Sequence, residues 1–457
     1  MTAQAPHKQA VPNPPLPWGR LFFLIFAAVS LLMGLNAALV RLGALAPISS
    51  TDLGTIHGIL MIYGFLGTAI CLERAVALQS GSSRPRRWAY AAPLLSGAAG
   101  VGAVGVALNE GLRNTLAHLP IPQFVASHLT GFQPARMLPG FLWTLAMMVL
   151  IAIYIHVWNK RQQSIAVLVQ GLGAFIGFGG ALLWWRGLEV PQIVRWWLMF
   201  LVITIIGERL ELARLNFLAA GTERRILTEV CGVILGLVAI LIVPNVGYPI
   251  LGLALGIMAI DTAWHDVARR TIKLPGLPRL AATCMLTGYS WALVPAIMWV
   301  VAPPTYDGYA YDTGVHALTI GFVVSMVLAH APVIIPAVAK REVPFHPIAW
   351  LAFVFLEASL LLRIVAGVRQ ADGAWRLGGT LGVMGMLIFV VVTLTLTVRQ
   401  ARRVRSAVSL ESPAKIDAVV PGEHDLPADD PQNSADVLPT VSTTVSKNAG
   451  EPQETAL

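Results

Sequence analysis

Across 457 residues only 12% are charged and 56% are hydrophobic, with a mean hydropathy of +0.69. A soluble domain carries roughly 25% charged residues, so this composition excludes a water-facing surface over most of the chain and requires one that faces lipid. The formal net charge of +8 is held in short connections between apolar runs, where it orients spans, and this placement argues against nucleic acid as a partner. Cys71, Cys231 and Cys284 all lie inside apolar runs, an odd set that implies neither a disulfide framework nor a thiolate metal cluster. The sequence has no Cys-x-x-Cys-His run for covalent haem attachment.

A span needs about 20 apolar residues to cross a hydrocarbon core roughly 30 Å thick. The first such run, near 19–41, follows a weakly basic leader with Lys8 and Arg20. It is longer than the apolar core of a signal peptide, about 7–15 residues, and is read as a retained span. Further runs follow near 54–78, 88–108, 137–157, 164–185, 193–215, 226–244, 247–265, 278–302, 312–338, 346–367 and 376–398. The seventh and eighth are parted only by a turn at Pro244–Asn245. The expected fold class is therefore all-α, a polytopic membrane bundle of about twelve helices. Its expected domains are a leader over 1–18, a twelve-span domain over 19–400 and a tail over 406–457. The tail is polar and almost without aromatics, too poor in apolar surface to fold, and is expected to be disordered.

Loop charges set the orientation. With the N-terminus inside, the inner connections hold Arg84, Arg86, Arg87, Lys160, Arg161, Arg214, Arg224, Arg225, Arg269, Arg270, Lys273, Arg279, Lys340, Arg341, Arg399, Arg402, Arg403 and Arg405. The outer ones carry fewer: Arg41, Arg113, Arg136, Arg186, Arg195, Arg369 and Arg376. This bias predicts cytoplasmic N- and C-termini in a cell inner (plasma) membrane.

Ionisable groups inside a membrane are costly and mark candidate sites. His57 lies about three residues into the second span, ~4–5 Å below its outer boundary at 1.5 Å per residue, and Gly58 beside it would allow a planar ligand or a helix to approach. His316 lies at nearly the same depth in the tenth span. Two imidazoles on different spans at one depth is the arrangement one haem iron needs for two axial ligands. The alternative is that each is a buried or interfacial histidine hydrogen-bonded to a backbone carbonyl.

The motif His57-Gly58-x-x-Met61 resembles the second-helix haem-ligand motif of the haem–copper oxidase catalytic subunit, and His316 falls on the helix that supplies further haem ligands there. Twelve spans with inner termini also match that subunit. The stretch His316-Ala317-Leu318-Thr319-x-Gly321 with Met326 is similar to the NnrS family of haem- and copper-containing membrane proteins linked to nitric oxide response. The resemblance, over about 19–400, implies b-type haem held by His57 and His316, with copper as a further candidate. A small gas ligand and a redox partner protein are its implied partners, beside the lipid bilayer. The departures bear on chemistry. Trp196 to Leu215 and Thr228 to Val243 contain no histidine, so the usual copper ligands of the sixth and seventh helices are missing. Standard dioxygen or nitric oxide reduction is then not expected. A haem with two histidines suits electron transfer or ligand-exchange sensing.

A second group of polar residues lies toward the inner face. His330 follows His316 by fourteen residues, about 21 Å along a straight helix and close to four turns, so both are expected on similar sides; Pro332 and Pro336 then predict a kink. Glu73, Arg74, Glu208, Arg209 and Glu211 are at a similar depth, and Asp261 and His265 form an i,i+4 pair. His330 is a candidate metal ligand. Glu73, Glu208, Glu211 and His265 are candidates for a proton path or an ion-pair network, for instance Glu211 with Arg214. His118 and His128, on the long outer connection, are better read as loop residues than as copper ligands. Glu357 and Arg363 on the eleventh span each predict a partner on another span, a haem propionate or an acidic group for Arg363. Trp184, Trp185, Trp196 and Trp197 are expected to form an aromatic belt at the membrane interface. A twelve-span secondary transporter is the alternative function, and its mark would be discontinuous spans; the Gly-rich stretch Gly171 to Gly180 is the nearest candidate.

Overall fold

The computed structural model describes residues 16–79, 85–117, 134–160, 163–212 and 221–411. All regular structure among them is helical. Among the described residues twelve helices are long and apolar enough to span a bilayer: α1 Trp18–Leu42, α2 His57–Gln79, α3 Arg87–Leu108, α4 Ala135–Lys160, α5 Ile165–Trp185, α6 Val190–Leu212, α7 Thr222–Ile242, α8 Pro244–His265, α9 Leu277–Val301, α10 Gly308–Ala339, α11 Ala349–Val368 and α12 Asp372–Val404. The protein is an all-α, multi-pass membrane bundle. In hydrocarbon every backbone amide needs an internal partner, and a run of this length and apolarity meets that demand only as a helix.

Local chemistry sets several ends. Gly43 closes α1 in the left-handed conformation (φ 63°). Ser164 caps α5 by accepting from the Val167 amide at 3.4 Å. Pro244 opens α8 at its first turn, where the missing N–H costs nothing, so α7 and α8 form a hairpin with only Val243 between them. The α12 helix continues to Glu411, through the first residues of the segment expected to be disordered. A helix already nucleated adds polar turns at little cost. The rest of that segment, like His118, His128, Arg161 and Arg214, lies outside the described residues.

Consecutive spans pack as neighbours, and α6 stands in the middle, with 83% of its apolar stretch inside the protein. Close approach comes from small residues. A Cβ on Gly173, Gly177 or Gly180 of α5 would stand 2.7–2.9 Å from Thr204, Phe200 or Trp197 of α6. The Gly-rich stretch is thus a packing face on an unbroken helix. Trp184, Trp196 and Trp197 are buried at this seam and do not form an interfacial belt, because the α5–α6 hairpin lies inside the bundle.

Two segments depart from α-helical hydrogen bonding. Leu60–Gly67 of α2 and Ala317–Val324 of α10 are π-helical, the first beginning three residues after His57 and the second directly after His316, and both pack against α6. Such segments are rare and concentrate at functional sites. In the first, the Tyr63 carbonyl accepts both the Thr68 amide five residues on and the Ser96 hydroxyl of α3, the latter at 2.9 Å. The second separates His316 from His330. Its i→i+5 bonding breaks the 3.6-residue periodicity on which an estimate of their common side depends. Pro332 and Pro336 lie within helix that continues to Ala339.

Candidate functional site

His57 stands where a short helix, Thr51–Thr55, gives way to α2 through Ile56, whose ψ of 7° redirects the chain. Its Nδ1 is 2.8 Å from the carbonyl oxygen of Gly34 on α1. A carbonyl only accepts, so Nδ1 carries the proton and Nε2 carries the lone pair. His316 repeats the arrangement on α10. Its Nδ1 lies 2.9 Å from the Asp312 carbonyl and 3.0 Å from the Asp312 carboxylate, one turn earlier. That carboxylate is in turn gripped by Arg363 of α11 through two bonds of 2.8 and 2.7 Å, and accepts from the Trp375 indole at 2.9 Å. Arg363 thus has an acidic partner.

Neither Nε2 is hydrogen-bonded to a described residue, and both rings are half-buried. The two imidazoles lie close enough to sense each other's charge, and Arg41 and Arg363 are within the same range of His57. Metal-binding histidines are typically held this way, one ring nitrogen donating to a carbonyl or carboxylate and the other presented to the ligand. At Gly58 it is the neighbouring helix, of the two expected alternatives, that makes the approach. The ring of Trp197 lies 3.6 Å from where its Cβ would be, so α6 occupies that side. Deeper between α2, α4, α5 and α6, Tyr63, Trp143, Trp197 and Phe200 form a fully buried aromatic plug, with the Tyr63 hydroxyl donating to the Gly177 carbonyl at 2.7 Å.

The opposite end resolves into three separate clusters. In the first, Arg74 of α2 pairs with Glu73, with Glu211 at 3.2 Å and with Glu208 at 3.6 Å, and Gln170 of α5 bonds both Arg74 and Glu211. Glu211 therefore has partners across the bundle. In the second, Arg209 of α6 makes two bonds to Asp266, which also accepts from the Tyr289 hydroxyl at 2.8 Å. His330 belongs here: its Nδ1 donates to the Met326 carbonyl at 2.7 Å, and its Nε2 accepts from Arg209 at 3.1 Å. Both nitrogens are engaged, so the geometry gives His330 no lone pair for the metal role expected of it. In the third, His265 joins Asp261 and Arg225 between α7 and α8, apart from the Arg74 cluster. The glutamates Glu73, Glu208 and Glu211 are thus brought together, and His265 is not with them.

Among the described residues no group of three or more His, Cys, Asp or Glu side chains could hold a metal ion alone. Sequence reasoning missed Asp312 as the carboxylate behind His316, although an acid at i−4 on the same helix face was a usable signal. It also missed Gly34, Asp266 and Tyr289; a backbone carbonyl on another span leaves no sequence signal. A family model for a domain of unknown function, DUF8744, matches residues 20–398, and the chain belongs to that family. No curated protein and no solved structure matches it.

Proposed function

We propose that the protein is a haem-binding protein of the inner (plasma) membrane, with His57 and His316 as the two axial ligands of one b-type haem near the outer face. The observation that carries this is the matched pair of imidazoles, each with Nδ1–H anchored and Nε2 presented. A metal held without a third protein ligand suits a cofactor that brings its own equatorial donors, and haem needs only two axial groups. When bound, it would supply one-electron redox chemistry.

The chain's own residues do the rest. The Gly34 carbonyl and the Asp312 carboxylate fix tautomer and ring orientation. Arg363 and Trp375 hold the Asp312 carboxylate in place, and Arg363 and Arg41 put positive charge beside the pair. The aromatic plug under the site excludes water. A haem held by both histidines would be open to a gas molecule only if one imidazole left. This favours electron transfer or nitric oxide sensing, in keeping with the resemblance to the haem–copper oxidase subunit and NnrS, over multi-electron reduction at a copper pair.

The test is a reduced-minus-oxidised spectrum of protein purified with haem supplied. A six-coordinate haem spectrum is expected, and it should be lost in both His57→Ala and His316→Ala. A wild-type protein with no haem band overturns the reading, and solute uptake by that protein in vesicles would favour a transporter. Haem bound identically in both variants would instead place the ligands elsewhere.

A further inference from the structure

Glu357 stands near the middle of α11, at mid-membrane depth. Its Oε2 accepts from the Trp291 indole of α9 at 2.5 Å and its Oε1 from the Ser325 hydroxyl of α10 at 2.7 Å. No cation among the described residues pairs with it, because Arg363, on the same helix, is committed to Asp312. A carboxylate at this depth is costly, and two neutral donors leave lone pairs unused on each oxygen.

The carboxylate lines a groove of about 530 Å³ between α9 and α11, walled by Trp291, Phe353, Val294 and Leu361. That volume is in the range of small-molecule sites, roughly 300–1,000 Å³. Neither His57 nor His316 lines it. Ser290, Val354, Ala358 and Leu361 are exposed along the groove, so it opens sideways to lipid.

The chemistry narrows the occupant. Ions and water-soluble substrates do not reach this depth. Phospholipid headgroups are kept at the interface by their charge, and acyl chains carry no donor for Glu357. A fitting ligand carries a neutral hydroxyl on a flat apolar body that the Trp291 and Phe353 rings can flank. We propose that this groove binds a membrane-dissolved hydroquinone, with one hydroxyl donating to Glu357, the ring between α9 and α11, and the tail leaving into the bilayer. The inference goes beyond the haem reading and does not depend on it.

The experiment is equilibrium binding of a decyl-substituted benzoquinol to the full-length protein in lipid nanodiscs, read by quenching of tryptophan fluorescence. Saturable binding to wild type is expected. Glu357→Gln should weaken it by about threefold to tenfold, the worth of one hydrogen bond. Ala358→Phe, at an exposed groove position away from the Glu357 hydrogen bonds, should block binding and leave the unfolding midpoint in place. The fully alkylated dimethyl ether of the same quinol, which has no donor, should bind as weakly to wild type as the quinol does to Glu357→Gln. Non-saturable partitioning in wild type, or saturable binding unchanged in Ala358→Phe, overturns the proposal. So does equal affinity for the quinol and its ether, which would make the groove a seat for lipid chains only.

Discussion

Both ends of α10 carry a histidine, and they are wired differently. At one end His316 donates through Nδ1 to Asp312 and leaves Nε2 for a ligand; His57 of α2 does the same against Gly34. At the other end His330 also donates through Nδ1 to the carbonyl four residues back, but its Nε2 is spent on Arg209. Both α10 histidines donate to the carbonyl four residues back, but His316 has the acid Asp312 at that position where His330 has Met326, and the neighbour facing Nε2 differs as well. Where α6 presents a guanidinium the imidazole becomes part of a structural network, and where no described side chain bonds Nε2, as at His57 and His316, that nitrogen stays available. The lesson is that a membrane histidine is assigned by its second nitrogen.

The largest effect that would test this contrast is Arg209→Ala. Asp266 has a wholly buried side chain, and removing its partner leaves an uncompensated charge, a loss of about 3–5 kcal/mol. The measurement is the thermal unfolding midpoint in detergent; a midpoint equal to wild type would show that the network is not structural. His330→Phe comes next: losing the acceptor for Arg209 should cost about 1–3 kcal/mol and leave any haem spectrum as it was. A changed spectrum would erase the distinction between the two ends.

A smaller effect sharpens the ligand end. Asp312→Asn keeps the size of the side chain but removes the charge that orients His316. Haem affinity, measured by titrating the haem-free protein, should fall about tenfold to a hundredfold, or ~1.4–2.7 kcal/mol. An unchanged affinity would mean that His316 is positioned by its backbone bond alone. The smallest is Glu211→Gln. Its side chain is 38% exposed, and Arg74 keeps Glu73 and Glu208, so the stability change should stay within about 1 kcal/mol. A larger loss, seen in the same unfolding assay, would show the Arg74 cluster to be as tightly coupled as the Arg209 pair.

The spans were legible because the bilayer imposes one length and one polarity on every crossing segment, and α2 and α10 both begin within a few residues of their expected starts. The site was legible in part. Depth along a span follows from residue count, so His57 and His316 could be matched before any contact was known. Partnership could not, since Gly34, Asp266 and Trp375 reach the site from other spans. The aromatic belt expected of Trp184, Trp196 and Trp197 failed for the same reason: a tryptophan near a span end looks alike in sequence whether its helix faces lipid or the centre of the bundle.

By itself, then, the sequence determined the all-helical class, the order of the spans and the level at which each ionisable residue stands, because transfer from water to hydrocarbon is a property of local composition. Only the tertiary structure decided which histidines keep a free nitrogen, where helices relax into π-helical turns and that Glu357 faces a groove without a cation. Those outcomes depend on which side chain a neighbouring span brings within 3 Å or so, the reach of a hydrogen bond, and helix packing sets that distance.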